Sequence, residues 1–117
     1  MHELAIAETI VYKLQQRMRD GGYKRINAVG MRIGTLSDVV PDALTFGFEL
    51  CIKDTALDGA ALEIEHVPVR GRCNQCKREF EVDGYVFVCS QCQSRDIEML
   101  QGQELEITYL RVEDDHE

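Results

Sequence analysis

Apolar residues recur at three- and four-residue intervals near the start of the chain. Leu4, Ala7, Ile10, Val11, Leu14 and Met18 fall on one side of a helix over 4–19. Glu8, Lys13, Gln15, Gln16, Arg17 and Arg19 fall mainly on the other, with acidic residues early and basic residues late, as the helix dipole prefers. Asp20-Gly21-Gly22 is a stop signal. The period then changes to two. Val29, Met31 and Ile33 alternate with Ala28, Gly30 and Arg32, which predicts a strand ending near Gly34. Pro41 and Asp42 suit the first turn of a second helix running to about Asp54. Its expected apolar face is Leu44, Phe48 and Cys51, widened by Phe46 and Leu50. Cys51 fits as a small buried hydrophobe.

Two more alternating runs follow. Leu62 and Ile64 oppose Glu63 and Glu65, and Pro68 marks an edge or an exit from that strand. Leu105, Ile107 and Tyr109 oppose Glu106 and Thr108 in a last strand over 105–112, and the charged tail after it should fray. Between these runs, Phe80 and Val82 lead into Asp83-Gly84, and Tyr85 or Val86 begins a return, the pattern of a hairpin. The predicted fold class is α/β (α+β): two helices packed on a three-stranded sheet, with an inserted four-cysteine, zinc-ribbon-like module. The expected domains are 1–68 plus 103–117, an α/β domain, and 69–102, the cysteine module, whose two ends should lie close together.

Composition narrows the function classes. The 117 residues suit about one domain's worth of chain. A formal net charge of -8 argues against nucleic acid as the main partner, because phosphate contacts need a basic surface. No apolar stretch approaches the roughly 18 residues that a bilayer span needs. The start lacks a basic region followed by an apolar run, so no secretory signal is evident and the expected compartment is the cytoplasm. Five cysteines, an odd number, fit a reducing compartment better than a disulfide scaffold.

Four of those cysteines form two Cys-x-x-Cys pairs, Cys73 with Cys76 and Cys89 with Cys92. Each pair makes a tight turn that aims two thiolates at one point, and two such turns close a tetrahedral sulfur cage. Zinc prefers that geometry, and a closed four-thiolate shell leaves no position for water. The expectation is structural zinc; disulfides, or an iron or redox-dithiol site, are the alternatives. Arg70, Arg72, Lys77, Arg78 and Arg95 make the module locally basic. Glu79, Glu81 and Asp83 offset them, which favours a solvated face over a nucleic-acid footprint.

His2 is the other candidate ligand. The α-amine of Met1, the backbone nitrogen of His2 and its imidazole form adjoining chelate rings, and the backbone nitrogen of Glu3 completes a planar set. The Glu3 carboxylate is an alternative donor. Planar nitrogen coordination suits nickel(II) or copper(II). So shallow a site fits a carrier that hands its metal on, with pH-sensitive binding.

The start "MHELAIAETI", the central "RIGTLSDVVPDAL" and the spacing of Cys73, Cys76, Cys89 and Cys92 together resemble the HypA/HybF family of nickel metallochaperones for [NiFe]-hydrogenase maturation. The resemblance covers essentially the whole chain. It implies a nickel site at Met1, His2 and Glu3, a zinc site at Cys73, Cys76, Cys89 and Cys92, and an α/β nickel domain bearing a zinc domain. It also implies work with a HypB-type GTPase and delivery of nickel to the hydrogenase large subunit. Members that also serve urease are similar in carrying a histidine beside the zinc cysteines. Here Arg72 precedes Cys73, and Gln93 and Ser94 follow Cys92. His66 reads as an ordinary strand residue, with a further nickel ligand as its alternative role.

Three functions are therefore weighed: a non-enzymatic nickel carrier, a zinc-ribbon adaptor binding RNA or protein, and an enzyme. The carrier leads. The adaptor predicts a functional surface at Arg70, Arg72, Lys77 and Arg78. The enzyme lacks a phosphate loop, a nucleophile arrangement and an open zinc position. An exposed sheet edge would admit a homodimer.

Overall fold

A computed structural model of the chain describes residues 2–114. Met1, named above as a nickel ligand, and the tail 115–117 lie outside the described residues. Helix α1 spans Glu3–Gly21 and buries Ala7, Ile10, Val11 and Leu14. It ends where Gly22 turns left-handed at φ 69°, a conformation that costs glycine no steric penalty. Met18 is half-buried, and Leu4 is 53% exposed despite its apolar register.

Strand β1 (Tyr23–Gly34) is the centre of the first sheet, flanked by β2 (Ala61–Val67) and β6 (Leu105–Asp114) in the order β2-β1-β6. The simple alternation expected of β1 gives way to near-continuous burial from Ala28 to Gly34, interrupted at half-buried Arg32. A central strand covered on both sides reads that way. Gly30 shows one cause. A Cβ there would collide with the ring of Tyr109 from β6. The phenol instead passes over the glycine and donates its hydroxyl proton to Glu63 of β2, which Arg111 also binds. The edge strands are less buried. Leu62 and Ile64 are half-buried, and Leu105, Ile107 and Tyr109 are about 40% exposed.

A short 3-10 turn, Thr35–Ser37, precedes helix α2 (Pro41–Ile52), which starts with proline and carries Asp42 in its first turn. Its buried face is Leu44, Gly47, Phe48 and Ile52. The expected widening is wrong: Phe46 is 64% exposed and Leu50 55%. Gly47 explains the choice of face. A Cβ there would lie 3.4 Å from that of Ala7 and 3.5 Å from the Leu4 Cα, so the two helices cross close at a residue without a side chain. Cys51 is consequently half-buried rather than fully buried, and its thiol pKa is raised by burial and by Glu8. The helix stops at Ile52, and Asp54 turns left-handed.

The second sheet has the order β4-β3-β5 and joins β3 (Arg70–Cys73) to β4 (Glu79–Glu81) and β5 (Ile97–Gln101), all antiparallel. β3 and β5 are elements that the apolar pattern did not predict. The expected hairpin over 80–86 reduces to one isolated bridge, Asp83 to Val86. Gly84 makes the turn at φ 62°, but Tyr85 and Val86 are exposed, and the following limb runs unpaired to Cys89. β4 pairs with β3 instead, where Arg72 lies 3.6 Å from Glu79 and 3.0 Å from Glu98. Pro68 leaves β2 as expected.

The described residues divide into two compact units, one of 2–31, 39–65 and 107–114, the other of 32–38 and 66–106. Among the described residues, no helix is long and apolar enough to cross a membrane.

Candidate metal centres

The four cysteines converge. Their sulfur atoms lie within 4.8 Å of one another, at the end of β3 and in the two loops that follow β3 and β4. The two loops repeat one geometry. The Lys77 amide donates to the Cys73 carbonyl at 2.8 Å, and the Cys73 amide to the Arg78 carbonyl at 2.8 Å. The Gln93 amide donates to the Cys89 carbonyl at 2.9 Å, and the Cys89 amide to the Ser94 carbonyl at 2.9 Å. Each turn closes with a left-handed residue after its second cysteine: Lys77 at φ 69° and Gln93 at φ 66°. Glycine is the cheapest residue for that conformation. The backbone, and not glycine, therefore sets these knuckles.

Cys73 and Cys89 are buried, while Cys76 and Cys92 are exposed. The Cys73 and Cys92 sulfurs are 3.5 Å apart and those of Cys76 and Cys89 3.6 Å. A tetrahedron with zinc–sulfur bonds of about 2.3 Å has edges of about 3.8 Å, so the set fits zinc with little adjustment. The protein already favours thiolates here. The Cys76 amide, whose nitrogen is 3.5 Å from the Cys73 sulfur, is the main cause of a Cys73 pKa lowered to about 6. The Cys92 amide similarly lowers Cys89. At Cys92 the Ser94 amide acts in the same direction, but the neighbouring sulfurs of Cys73, Cys89 and Cys76, with burial, outweigh it and push the thiol up to about 12. Four crowded sulfurs cannot all carry charge without a cation among them.

The amino-terminal candidates lie at the start of α1. His2 is the N-cap, exposed, with no side-chain capping bond, so its imidazole is not committed to the helix. Its carbonyl accepts the Ile6 amide at 2.9 Å. The Glu3 carboxylate is engaged: it accepts the Val40 amide at 3.0 Å, just ahead of α2. That bond, followed by one from its own amide, lowers the Glu3 pKa. Sequence reasoning missed the Val40 partner, because nothing local in either segment announces it. Beside these residues a shallow groove is lined by Leu4, Ala5, Phe46 and Leu50.

The remaining candidates are held by other bonds. His66 sits exposed in β2, its Nε2 2.9 Å from the Thr35 hydroxyl. Arg72 is paired with two glutamates, and Arg78 donates to Gln91 at 3.2 Å. The surface expected of an RNA adaptor is thus partly neutralised.

Comparison with known proteins agrees with this geometry. The family model described as hydrogenase/urease nickel incorporation, metallochaperone, hypA matches residues 1–112. The hydrogenase maturation factor HypA of Geotalea uraniireducens is 44% identical over 113 residues, covering 97% of this chain and all of that one. The factor of the same name from Geobacter metallireducens is 43% identical with the same coverage. The solution structure of the Ni metallochaperone HypA from Helicobacter pylori superposes with a TM-score of 0.66 at 21% identity, over 98% of this chain and 100% of that chain, which speaks to the fold. A family match over nearly the whole chain, with relatives above 40% identity along their full length, places this chain in the HypA family, the non-enzymatic nickel metallochaperones of hydrogenase maturation.

Proposed function

We propose that this family member carries nickel(II) at Met1, His2 and Glu3 and keeps zinc permanently at Cys73, Cys76, Cys89 and Cys92. The observation that carries the nickel reading is the exposed imidazole of His2 at the helix N-cap, which makes no side-chain capping bond. The first amides of a helix have no intrahelical acceptor, and the positive end of the dipole favours the anionic nitrogens that planar nickel coordination needs. Glu3 enters this reading through its backbone nitrogen, its carboxylate, which accepts the Val40 amide, being the alternative donor. The cargo site is shallow and reversible; the sulfur cage is closed and holds its loops in shape.

The nickel domain then corresponds to 1–68 plus 103–117 and the zinc domain to 69–102. Nickel passes, with a HypB-type GTPase, to the large subunit of a [NiFe]-hydrogenase in the cytoplasm. Acceptor ligands compete for the metal, and protonation of His2 assists release. Support comes from the relatives, which are named hydrogenase maturation factors, and from the Helicobacter protein, which is named a Ni metallochaperone.

Replacing His2 by alanine tests the site. Equilibrium dialysis should show at least a tenfold loss of nickel affinity with zinc content unchanged, the scale of one lost ligand. Undiminished tight binding would remove His2 from the mechanism.

A further inference from the structure

Two close sulfur contacts link the knuckles of the cysteine centre. The 3.5 Å contact joins Cys73 to Cys92, and the 3.6 Å contact joins Cys76 to Cys89. Both cross from one knuckle to the other. Each pairs a buried cysteine with an exposed one: Cys73 with Cys92, and Cys89 with Cys76. Within the first knuckle, by contrast, the Cys76 amide lies against the Cys73 sulfur at 3.5 Å. Drawing the Cys76 sulfur onto Cys73 would displace that donor. Closing either cross-knuckle contact to a bond needs an approach of about 1.5 Å between the sulfurs. The backbone bonds from Lys77 to Cys73 and from Gln93 to Cys89 need not break.

We propose that the cysteine centre is a reversible four-electron redox element, two electrons for each bond, whose oxidised form carries two crossed disulfides, Cys73–Cys92 and Cys76–Cys89, and no zinc. The oxidant is a hydroperoxide. The exposed sulfur of Cys76 or Cys92 attacks the peroxide oxygen. The O–O bond breaks, hydroxide leaves, and a sulfenic acid forms. The buried partner thiolate, Cys89 or Cys73, then attacks that sulfur and expels its oxygen as a second hydroxide. Four thiolates and two hydrogen peroxide molecules give two disulfides and four hydroxides. The neutral disulfide sulfurs no longer hold zinc, which leaves. A dithiol reductant and zinc reverse the change. Because the new bonds follow existing contacts, the knuckles keep their backbone closure while the metal is absent.

The zinc-loaded full chain is treated with hydrogen peroxide, free thiols are alkylated, and the protein is digested with trypsin. Cleavage after Arg72, Lys77, Arg78 and Arg95 separates residues 73–77 from 79–95, so each knuckle falls in its own peptide. The expected product is one doubly linked pair of these peptides, and fragmentation between their cysteines assigns Cys73 to Cys92. A zinc-binding dye should register one zinc released per two peroxides consumed, and reduction with added zinc should restore the starting mass and metal content. Separate peptides with disulfides inside each knuckle would overturn the proposal. So would sulfinic acids without linkage, pairing to Cys51, or disulfides formed with zinc retained.

Discussion

At the scale of single residues, backbone conformation and close approach decide the outcome more than side-chain chemistry. Lys77 and Gln93 complete the two knuckles in the left-handed region, where a side chain costs about 1–2 kcal/mol. Lys77→Gly should therefore stabilise the protein by about 0.5–1 kcal/mol, the strain relieved being partly offset by a more flexible unfolded chain. Denaturant titration of the zinc-loaded variant reads this directly; a loss of stability would show that the Lys77 side chain has a role of its own. Gly30 works in the opposite sense. Gly30→Ala places a Cβ in the Tyr109 ring and must push the phenol off Glu63. A loss of about 1–3 kcal/mol is expected from such overpacking, and near-neutral unfolding curves would contradict it. The four cysteines were legible because their spacing is itself a signal. The glycine at position 30 was not, because the ring that covers it comes from a strand far along the chain.

At the scale of elements, the strongly periodic segments were readable. α1, α2, β1 and β6 all occur near their expected places, and β2 leaves its sheet at the proline. The misreadings share a cause. Phe46 and Leu50 looked like core, but the helix turns its glycine face inward where α1 passes closest. β3 reads "RGRC" and carries hardly any apolar signal; Arg72 holds it between two acidic neighbours. A strand stabilised by ladder bonds and ion pairs leaves no hydrophobic period to detect. The Glu3–Val40 link is equally invisible in sequence, and it couples the first turn of α1 to the residue before α2. The Val40 amide holds the Glu3 carboxyl below its ordinary 4.5. A depressed carboxylate contributes its bond above the unfolded value and loses it as pH falls through the folded one. The Val40 amide resonance should therefore titrate with a midpoint below 4.5, and Glu3→Gln should abolish that titration. A midpoint above 4.5 would mean that the bond does not form in solution.

At the scale of the whole molecule, two metals are assigned to two kinds of donor. Soft, crowded sulfur suits a zinc ion that stays, and exposed nitrogen at a helix start suits a nickel ion that leaves. The cysteine cluster was legible because its spacing is local, and the proposed nickel donors rest on an equally local feature, a histidine at the second position. The central claim is that the α-amine of Met1 belongs to the nickel site and has no part in the zinc site. The direct measurement is metal stoichiometry on zinc-loaded chain whose first residue is Met1, set beside the same chain carrying one extra residue ahead of it. Tight nickel binding by the first, its loss in the second and equal zinc in both are the predicted results. Equal nickel binding by the two chains would contradict the account.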